Sequence, residues 1–561
     1  MTFRWRSSGV RAGAFRSGKG LALLCLIALL FRFPFLNLPF DIRELELVSV
    51  PWLGQPEGSD GVRRLLGHIA DTAWYWSLDE GLTRLPWLLV GVIAVVLIAW
   101  GVGKSLGALA GYGAGLVLAV SQSDALSGTF LGAGPWVLTA SLGAVVAVQH
   151  YRERAPLIAL VLASVAILPL ARLGPAIWMP WVSSVFLLAP RATQGGPARK
   201  VGFVVVCASA ALLLAWVQAP VPRSYWLPWD KAAVFTLRGE WSEWCAPGMW
   251  VLALAGLWRI ARSRAGGWLL VWLAAAVLCS ALAQSRRWIL DDGLVAVIIL
   301  PFLAAAGVGA SLLVELCSRR RLSLAGKIVA MALLLGLATL GRPPKHRPDW
   351  PAIAQLVAGN AGARDVFSSA LCLRALVFYA PELFFRFPRE ADLARALVVF
   401  PAAESGWFVA PGYARLHPAW SRVEQWVEQF GVVDLSPDPS VHVFYFRRAG
   451  RGAALRRIAD FTLPAATLSR GRLLADLVEA SGPLPSALWK VDQLVLEPPA
   501  ASMDRNGGLL EAAKALARFR QLDRANSLLD RLLSMHPDWV AAARVKEALC
   551  AEVSSGPGGF D

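Results

Sequence analysis

The residues best suited to chemistry in this sequence are carboxylates that lie close to the ends of long apolar segments. The strip PFDIRELELVSVPW directly follows the first apolar segment and contains Asp41, Glu44 and Glu46. Asp41 and Glu44 are three residues apart, so they share one face if the strip is helical. A carboxylate at the boundary between water and lipid is partly desolvated, which raises its proton affinity and suits it to general-base catalysis. The alternative is that these acids only end the preceding helix at the lipid headgroups.

Cationic and polar side chains lie near the same kind of boundary. Arg84 precedes an apolar segment, and Arg286 and Arg287 precede another in SRRWILDDGLVAVIILP. His68 and Asp71 lie in LLGHIADTAWYW, between the acidic strip and Arg84. The few external carboxylates and arginines are therefore concentrated at loops beside the membrane.

Cysteine and histidine usage argues against two classes of site. The seven cysteines are scattered and include no C-x-x-C pair, so neither a disulfide framework nor a zinc ribbon is expected. The six histidines contain no H-x-x-x-H pair, so a metal cage is not expected either. We therefore predict no cofactor and assign no metal ligands, and we leave a divalent metal open although no ligand cluster for one is seen.

Composition indicates that most of the chain lies in a bilayer. Of the 561 residues, 56% are hydrophobic and only 17% are charged, against about 25% charged in soluble proteins. A membrane-spanning helix needs about 20 mainly apolar residues. That criterion predicts eleven spans, at 21–39, 85–101, 106–122, 131–149, 156–171, 175–190, 201–218, 247–261, 267–284, 293–315 and 325–341.

The charge distribution predicts the orientation of these spans. With a cytoplasmic N-terminus, the inner segments contain 18 basic residues and one acid, as the positive-inside rule requires. These residues account for the whole formal charge of +16, so a nucleic-acid partner is not indicated. No small-residue cleavage site follows the first segment, which we interpret as an uncleaved signal anchor. An odd number of spans places everything after residue 341 outside, and the Arg-, Ala- and Gly-rich usage favours a bacterial inner membrane.

The predicted organisation is therefore a transmembrane domain, 1–341, followed by a soluble tail. The outer loops of the transmembrane domain are 40–84, 123–130, 219–246 and 285–292. Residues 342–450 alternate short apolar runs with helical spacing, which predicts a small external α/β domain. Its expected helices are 349–360 and 421–431, and its expected strands are 366–373, 396–403, 406–411 and 441–448. Residues 451–505 read as a helical connector.

The sequence pattern of the last part of the chain, 506–561, predicts an antiparallel helical hairpin. Ala513 and Ala525 are small residues at the expected helix crossing, and Pro537 closes the pattern. This spacing resembles one tetratricopeptide unit. A single unit has no stacked neighbour to bury its faces, so an ordinary hairpin remains an equal alternative. Either form offers a surface for a protein partner.

Several short motifs resemble the integral-membrane GT-C glycosyltransferases of the protein O-mannosyltransferase and aminoarabinose-transferase kind. The resemblance covers roughly residues 20–450 and comprises a span ending in FRFPFLNLPFD, an acidic strip opening a long outer loop, and the order of the later loops. Arg84, Leu85 and Pro86 match an Arg-Leu-Pro before the second span. Arg286 or Arg287 matches an outer arginine that precedes a late span. Asp349 and Trp350 match an Asp-Trp that opens the external domain.

The resemblance implies transfer of a sugar from a polyprenyl-phosphate carrier to a lipid, glycan or protein acceptor on the outer face, with inversion. The catalytic carboxylates would be Asp41 and Glu44, with Asp124 in the next outer loop. Arg84, Arg286, Arg287, His68 and Asp71 would bind substrate. The family has an Asp-Glu pair in the first loop, whereas this sequence has Arg43 before Glu44.

That departure keeps other functions open. One alternative is a catalytically degenerate relative that acts as a scaffold and binds a partner through its C-terminal hairpin. A less favoured alternative is a transporter for a lipid-linked substrate, which needs ionisable groups at the membrane midplane. The centres of the predicted spans have almost none, which argues against ion-coupled transport.

Overall fold

The architecture comes from a computed structural model, which describes residues 18–33, 36, 61–77, 79–120, 134–151, 155–167, 178–192, 197–218, 247–286, 292–318, 322–339, 348–369, 372–383, 400, 403–416, 420–437, 440–463, 465–468, 473–482, 484–496 and 503–554. The chain divides into two compact units, Met1–Lys345 and His346–Asp561. The described residues of the first unit are almost all helical. The second combines a small sheet with helices, so the sequence prediction of a mainly helical chain with a small α/β region agrees with the structure.

Each of the eleven apolar segments forms a helix, and one amphipathic helix lies between the first two. The helices of this unit are α1 (Gly18–Arg32), α2 (Gly61–Ser77), α3 (Leu85–Leu106), α4 (Ala108–Val120), α5 (Gly134–Tyr151), α6 (Pro156–Ile167), α7 (Trp178–Ala192), α8 (Pro197–Gln218), α9 (Pro247–Ala261), α10 (Gly267–Arg286), α11 (Asp292–Ser318) and α12 (Leu324–Thr339). A one-turn helix, Glu80–Thr83, precedes α3.

Side-chain contacts fix the directions of the central helices. Thr139 of α5 donates to the Val90 carbonyl of α3 at 2.9 Å, and Lys104 near the end of α3 donates to the Gln149 carbonyl of α5 at 2.8 Å. α3 and α5 therefore run parallel. α9 and α11 are parallel as well, since Trp250 stacks near Phe302 at a ring separation of 4.5 Å and Arg259 pairs with Glu315 at 3.0 Å.

Glycines allow the central helices to approach each other closely. A Cβ atom added to Gly307 of α11 would collide with the Gly113 carbonyl of α4, and one added to Gly256 of α9 would collide with the Ala305 carbonyl of α11. Small residues at such crossings bring backbones together and increase van der Waals contact, which is the main source of helix association in lipid.

The outer faces of these helices expose large apolar side chains. Val165 of α6, Val204 of α8, Val251 of α9 and Leu333 of α12 are each 60–67% exposed. Soluble monomers rarely expose apolar patches this extensive. Among the described residues, Leu85–Leu106 and Val297–Ser318 are long and apolar enough to cross a membrane, and five shorter apolar helices accompany them. The number of spans, eleven, stays a prediction.

The second unit contains a four-stranded sheet of order β1-β2-β4-β3. Its strands are β1 (Val366–Ser369), β2 (Ser405–Pro411), β3 (Val433–Asp434) and β4 (Val441–Arg447). β1 pairs with β2 in parallel, whereas β4 is antiparallel to both β2 and β3. The accompanying helices are α13 (Trp350–Asn360), α14 (Leu373–Tyr379), α15 (Trp420–Phe430) and α16 (Arg451–Ile458), with 3-10 turns at Pro381–Leu383 and Gly412–Leu416.

The sequence placed three of these strands and two of the helices close to their observed positions. The expected strand 366–373 is wrong in its second half, because Leu373 begins α14 and the strand ends at Ser369. Most of the expected strand 396–403 lies outside the described residues. The two-residue β3 was not expected, since so short a strand has no alternation to reveal it.

Aromatic packing and one buried polar cluster hold the sheet. Phe400 stacks on Trp426 at 4.7 Å, and Trp407 stacks on Phe461 at 5.4 Å. The Asp365 carboxylate accepts from the Trp407 indole at 3.1 Å and also from the Ser405 hydroxyl. Burial, together with the Asp365 charge, raises the pKa of Tyr445 to about 12, so its hydroxyl stays protonated at neutral pH.

The C-terminal helices pack as a stack rather than as an isolated hairpin. They are α17 (Leu473–Ser481), α18 (Pro485–Leu496), α19 (Met503–Arg518), α20 (Leu522–Met535) and α21 (Val540–Ser554), preceded by the short helix Ala465–Leu468. α17 packs on α19, α18 on α20, and α20 on α21. The predicted connector therefore supplies two helices, because its apolar residues Leu474 and Leu477 face this stack. The tetratricopeptide assignment itself stays a prediction.

We expect Gly307→Ala to destabilise the first unit, because the new methyl group must push α4 away from α11. Gly143→Ala on α5 is the matched control, since a Cβ there meets nothing within 4 Å. The control should be neutral or slightly stabilising, because alanine is favoured over glycine in a helix by about 0.5–1 kcal/mol. Thermal unfolding of the purified protein in detergent measures both. Equal melting temperatures for the two variants would contradict the tight α4–α11 contact.

Candidate functional site

A buried arginine joins two helix ends in the first unit. Arg32, the last residue of α1, is 1% exposed. Its guanidinium donates to the Leu118 carbonyl at 3.2 Å and the Ala119 carbonyl at 3.4 Å, and to Ala28 of its own helix at 3.2 Å. The last four carbonyls of a helix have no partner within the helix and carry the negative end of its dipole. Arg32 therefore caps α4 and holds the end of α1 beside it.

A second buried arginine joins the beginning of α3 to the same region. Arg84 is fully buried, and its Nη1 atom donates to the Leu36 carbonyl at 2.7 Å. The one-turn helix before it is capped by Asp79, whose carboxylate accepts from the Leu82 amide at 2.8 Å. This turn fixes the backbone immediately before α3. Arg84 can therefore hold the chain that leaves α1.

Several helix ends thus lie together at one end of the bundle, which we call the arginine end. It contains the ends of α1 and α4 and the beginnings of α3 and α5. Near the start of α10, Trp268 donates to Ser105 at 3.1 Å, so α10 begins where α3 finishes. α10 has 20 residues, which is about 30 Å of helix at 1.5 Å each, and its last residue is Arg286.

The opposite end is held by a different set of charges. Arg259 of α9 pairs with Glu315 of α11 and also donates to the Leu106 carbonyl at 3.4 Å. Lys104 caps the end of α5 by donating to the Gln149 carbonyl. Lys104 and Arg259, at this end, are among the basic residues that the positive-inside rule assigns to the cytoplasm. The arginine end lies at the other end of the bundle.

An apolar groove lies at the arginine end, between α2 and the beginning of α3. It has a volume of about 650 Å³. One face of α2 and the turn before α3 line it, with residues His68, Ile69, Thr72, Ala73, Trp76, Leu82, Leu85 and Pro86. Among the described lining residues, His68, Thr72 and the Trp76 indole bring polar groups, and the Thr72 hydroxyl already donates to the His68 carbonyl at 2.7 Å. Trp76 is 90% exposed, as expected of an aromatic side chain at a membrane surface.

The structure describes only some of the site residues that the sequence suggests. Asp41, Glu44, Asp124 and Arg287 lie outside the described residues, and Arg286 is described in its backbone alone.

The remaining three are all at the arginine end. His68 lines the groove, and Asp71 lies on the same helix but does not line it. Arg84 donates to the Leu36 carbonyl through Nη1, and its expected contact with phosphate stays a prediction. Within the described ranges, no group of three histidine, cysteine, aspartate or glutamate residues could hold a metal ion.

Arg32 is the residue that sequence reasoning missed. It lies inside LALLCLIALLFRFPF, where an uncompensated cation is costly. This cost is the signal in the sequence that indicates a specific partner for Arg32. The partners themselves, the carbonyls of Leu118 and Ala119, are backbone groups more than 80 residues away and leave no mark in the sequence.

No family model matches this sequence, and no curated protein matches it. Among solved structures, the chain is similar to ArnT from Cupriavidus metallidurans in the apo state, with 14% identity and a TM-score of 0.39 over 76% of this chain and 98% of that one. ArnT bound to undecaprenyl phosphate gives 15% identity and a TM-score of 0.38 over 78% and 98%.

A third similarity is to the archaeal oligosaccharyltransferase AglB from Archaeoglobus fulgidus, in complex with an inhibitory peptide and a dolichol-phosphate. It has 11% identity and a TM-score of 0.42, and covers 76% of this chain and 74% of that one. Superpositions with TM-scores below 0.5 do not establish a reaction. The function of this chain therefore has to be argued from its own residues.

We expect Arg32→Met to lower the stability of the first unit by about 1–3 kcal/mol, since the α4 carbonyls lose a buried donor. Arg32→Lys should recover part of this loss, because a single ammonium can reach only some of the acceptors. Lys200→Met, at an exposed position on α8, is the control. Thermal unfolding in detergent measures all three. A melting temperature for Arg32→Met equal to that of the control would show that the cap contributes nothing.

Proposed function

We propose that this protein is a membrane glycosyltransferase that moves a sugar from a polyprenyl-phosphate carrier to an acceptor on the outer face of a bacterial inner membrane. The observation that supports it most is the pair of buried arginines, Arg32 and Arg84. They hold together the helix ends from which two outer loops leave the bundle. Those loops contain the carboxylates that the sequence singles out.

Chain connectivity keeps these carboxylates close to the arginine end. Asp41 follows Leu36 by five residues, so at about 3.6 Å per residue it lies within about 18 Å of the carbonyl that Arg84 binds. Asp124 follows the last residue of α4 by four residues, which limits its distance to about 14 Å. Both carboxylates can therefore reach a common site at this end of the bundle.

The groove between α2 and α3 suits the carrier lipid. A polyprenyl chain has only apolar groups, and the groove is lined mainly by Ile69, Ala73, Leu82 and Leu85. His68 gives one part of it a polar group that can contact the phosphate or the sugar. Asp71, on the same helix, can accept a hydrogen bond from a sugar hydroxyl if it reaches the bound substrate.

We assign the carrier phosphate to Arg286 and Arg287 and a positioning role to Arg84. Arg286 is the last residue of α10, and Arg287 follows it in the chain. Their guanidinium groups would neutralise the charge that develops on the phosphate oxygen as its bond to the sugar breaks. Arg84 acts indirectly, because its buried guanidinium holds the Leu36 carbonyl and thus the start of the first outer loop.

The reaction that follows is a single displacement. An acceptor hydroxyl is a weak nucleophile, so Asp41 or Glu44 takes its proton while the oxygen attacks the anomeric carbon. The bond from that carbon to the phosphate oxygen breaks as the new bond forms, and polyprenyl phosphate leaves. Attack from the opposite side inverts the configuration. Asp124, from the second outer loop, is assigned to orient the acceptor or share the proton.

The first test is turnover of a polyprenyl-phosphate sugar by the purified protein. Undecaprenyl phosphate and dolichol-phosphate, bound in the structures of ArnT and AglB, are the carrier lipids to test first. The double variant Asp41→Asn with Glu44→Gln should reduce kcat at least a hundredfold, the usual contribution of a general base. Glu547→Gln and Asp538→Asn, at exposed positions of the second unit, are the matched carboxylate controls.

Turnover by the double variant at the rate of the controls would remove the general-base assignment. Absence of turnover by the unmodified protein, with every carrier sugar tried, would favour the scaffold alternative. In that case a partner captured through residues 505–550 would be the expected function.

A second test separates lipid binding from chemistry. Ala73→Phe places a ring in the groove and should raise KM for the lipid donor several-fold while changing kcat little, because ground-state binding is lost. Leu89→Phe, on the exposed side of α3, is the control. A KM that rises equally in both variants would place the carrier elsewhere.

A further inference from the structure

The second unit contains a groove that the proposed transfer reaction does not use. It has a volume of about 790 Å³ and lies beside α15 and the edge strand β3. Its floor is apolar and includes the buried residues Trp420, Val423 and Phe444. Its rim is charged. The volume is within the range of about 300–1,000 Å³ that is usual for ligand sites.

The rim has an excess of negative charge. Four carboxylates, from Glu424, Glu428, Asp434 and Asp476, face two guanidinium groups, which leaves a formal charge of −2. The inner segments of the first unit account for the formal charge of +16 of the whole chain, so the charge of the groove has to be judged from its own rim.

The carboxylates divide into those that already have partners and those that do not. Asp476 pairs with Arg451 at 2.6 Å, and Arg451 also donates to the Val432 carbonyl at 3.3 Å. Within the ranges that the structure describes, Glu424 and Glu428 form no salt bridge or hydrogen bond with another side chain. These two exposed glutamates are the groups available to a ligand.

Their spacing indicates the shape of that ligand. Glu424 and Glu428 are four residues apart on α15, so they share a face with Cβ atoms about 5–6 Å apart. In an extended peptide, alternate side chains point the same way and are about 6.6–6.8 Å apart. The two carboxylates can therefore contact two basic side chains separated by one residue.

The apolar floor favours basic residues of a peptide over other cations. Lysine and arginine have aliphatic stems that cover apolar surface while their charged heads remain in water. Stems lying over the partly exposed Val427 would place the heads at the glutamates. A neutral sugar fits less well, because Trp420 is only 6% exposed and offers little ring surface for stacking.

We propose that this groove binds an extended polypeptide segment with basic side chains at alternate positions, through Glu424, Glu428 and the apolar floor between α15 and β3. The proposal rests on the second unit alone. It holds whether or not the protein transfers a sugar.

The test uses the full-length protein in a neutral detergent and a fluorescein-labelled peptide, acetyl-Lys-Ser-Lys-Ser-Lys-amide, followed by fluorescence anisotropy. Glu424→Gln with Glu428→Gln should weaken binding at least tenfold. Glu547→Gln with Asp538→Asn, outside the groove, should leave it unchanged. Raising the salt concentration from 50 to 300 mM should weaken binding several-fold, because the contacting charges are exposed.

Two comparisons make the result specific. The charge-reversed variant Glu424→Lys with Glu428→Lys should lose the basic peptide and bind its glutamate counterpart, which also shows that the altered groove is folded. A peptide with the same composition but adjacent lysines should bind more weakly than the alternating one. Equal binding to the double glutamine variant and the unmodified protein would overturn the proposal. Equal competition by spermidine at matched charge, or binding of a neutral oligosaccharide at the same site, would also overturn it.

Discussion

The structure of the first unit depends on cations placed against the carbonyl ends of helices. A buried guanidinium is costly in apolar surroundings, by about 2.5–3.5 kcal/mol at a membrane centre on insertion scales. Arg32 offsets this cost by donating to three backbone carbonyls, two of them at the end of α4. Both the charge and the helix end gain a partner. Arg84 repeats the arrangement at the Leu36 carbonyl, so the ends of α1, α3 and α4 are held in one place.

The same interaction at the opposite end makes the bundle a fixed frame. Lys104 and Arg259 bind the carbonyls of Gln149 and Leu106, and Arg259 is balanced by Glu315. Between the two ends, glycine contacts bring α4, α9 and α11 together without any charge. Polar interactions therefore define where helices end, and small residues define how closely they pack. The position of a reaction site at a helix end therefore depends on the polar interactions.

The sequence predicted what depends on local pattern and missed what depends on distant partners. The length of the apolar segments was enough to locate the helices of the first unit. Three strands were found because Val366, Trp407 and Val441 begin runs with strong strand composition. Arg32 could be recognised as costly but not assigned a partner. The stacking of α17 and α18 was missed because their apolar faces match α19 and α20, and that match appears only in three dimensions.

Pairing also separates structural charges from charges available for function. Arg32, Arg84, Arg259 and Asp365 are held by groups of this chain, so each contributes to the fold. Such pairs satisfy the rule that buried charge requires a partner, and removing one member leaves the other unsatisfied. Glu424 and Glu428 are exposed on one helix face, where two like charges repel each other. On the solvent-facing side of an amphipathic helix this repulsion is tolerated. The basic peptide proposed for the groove would turn it into attraction in the complex.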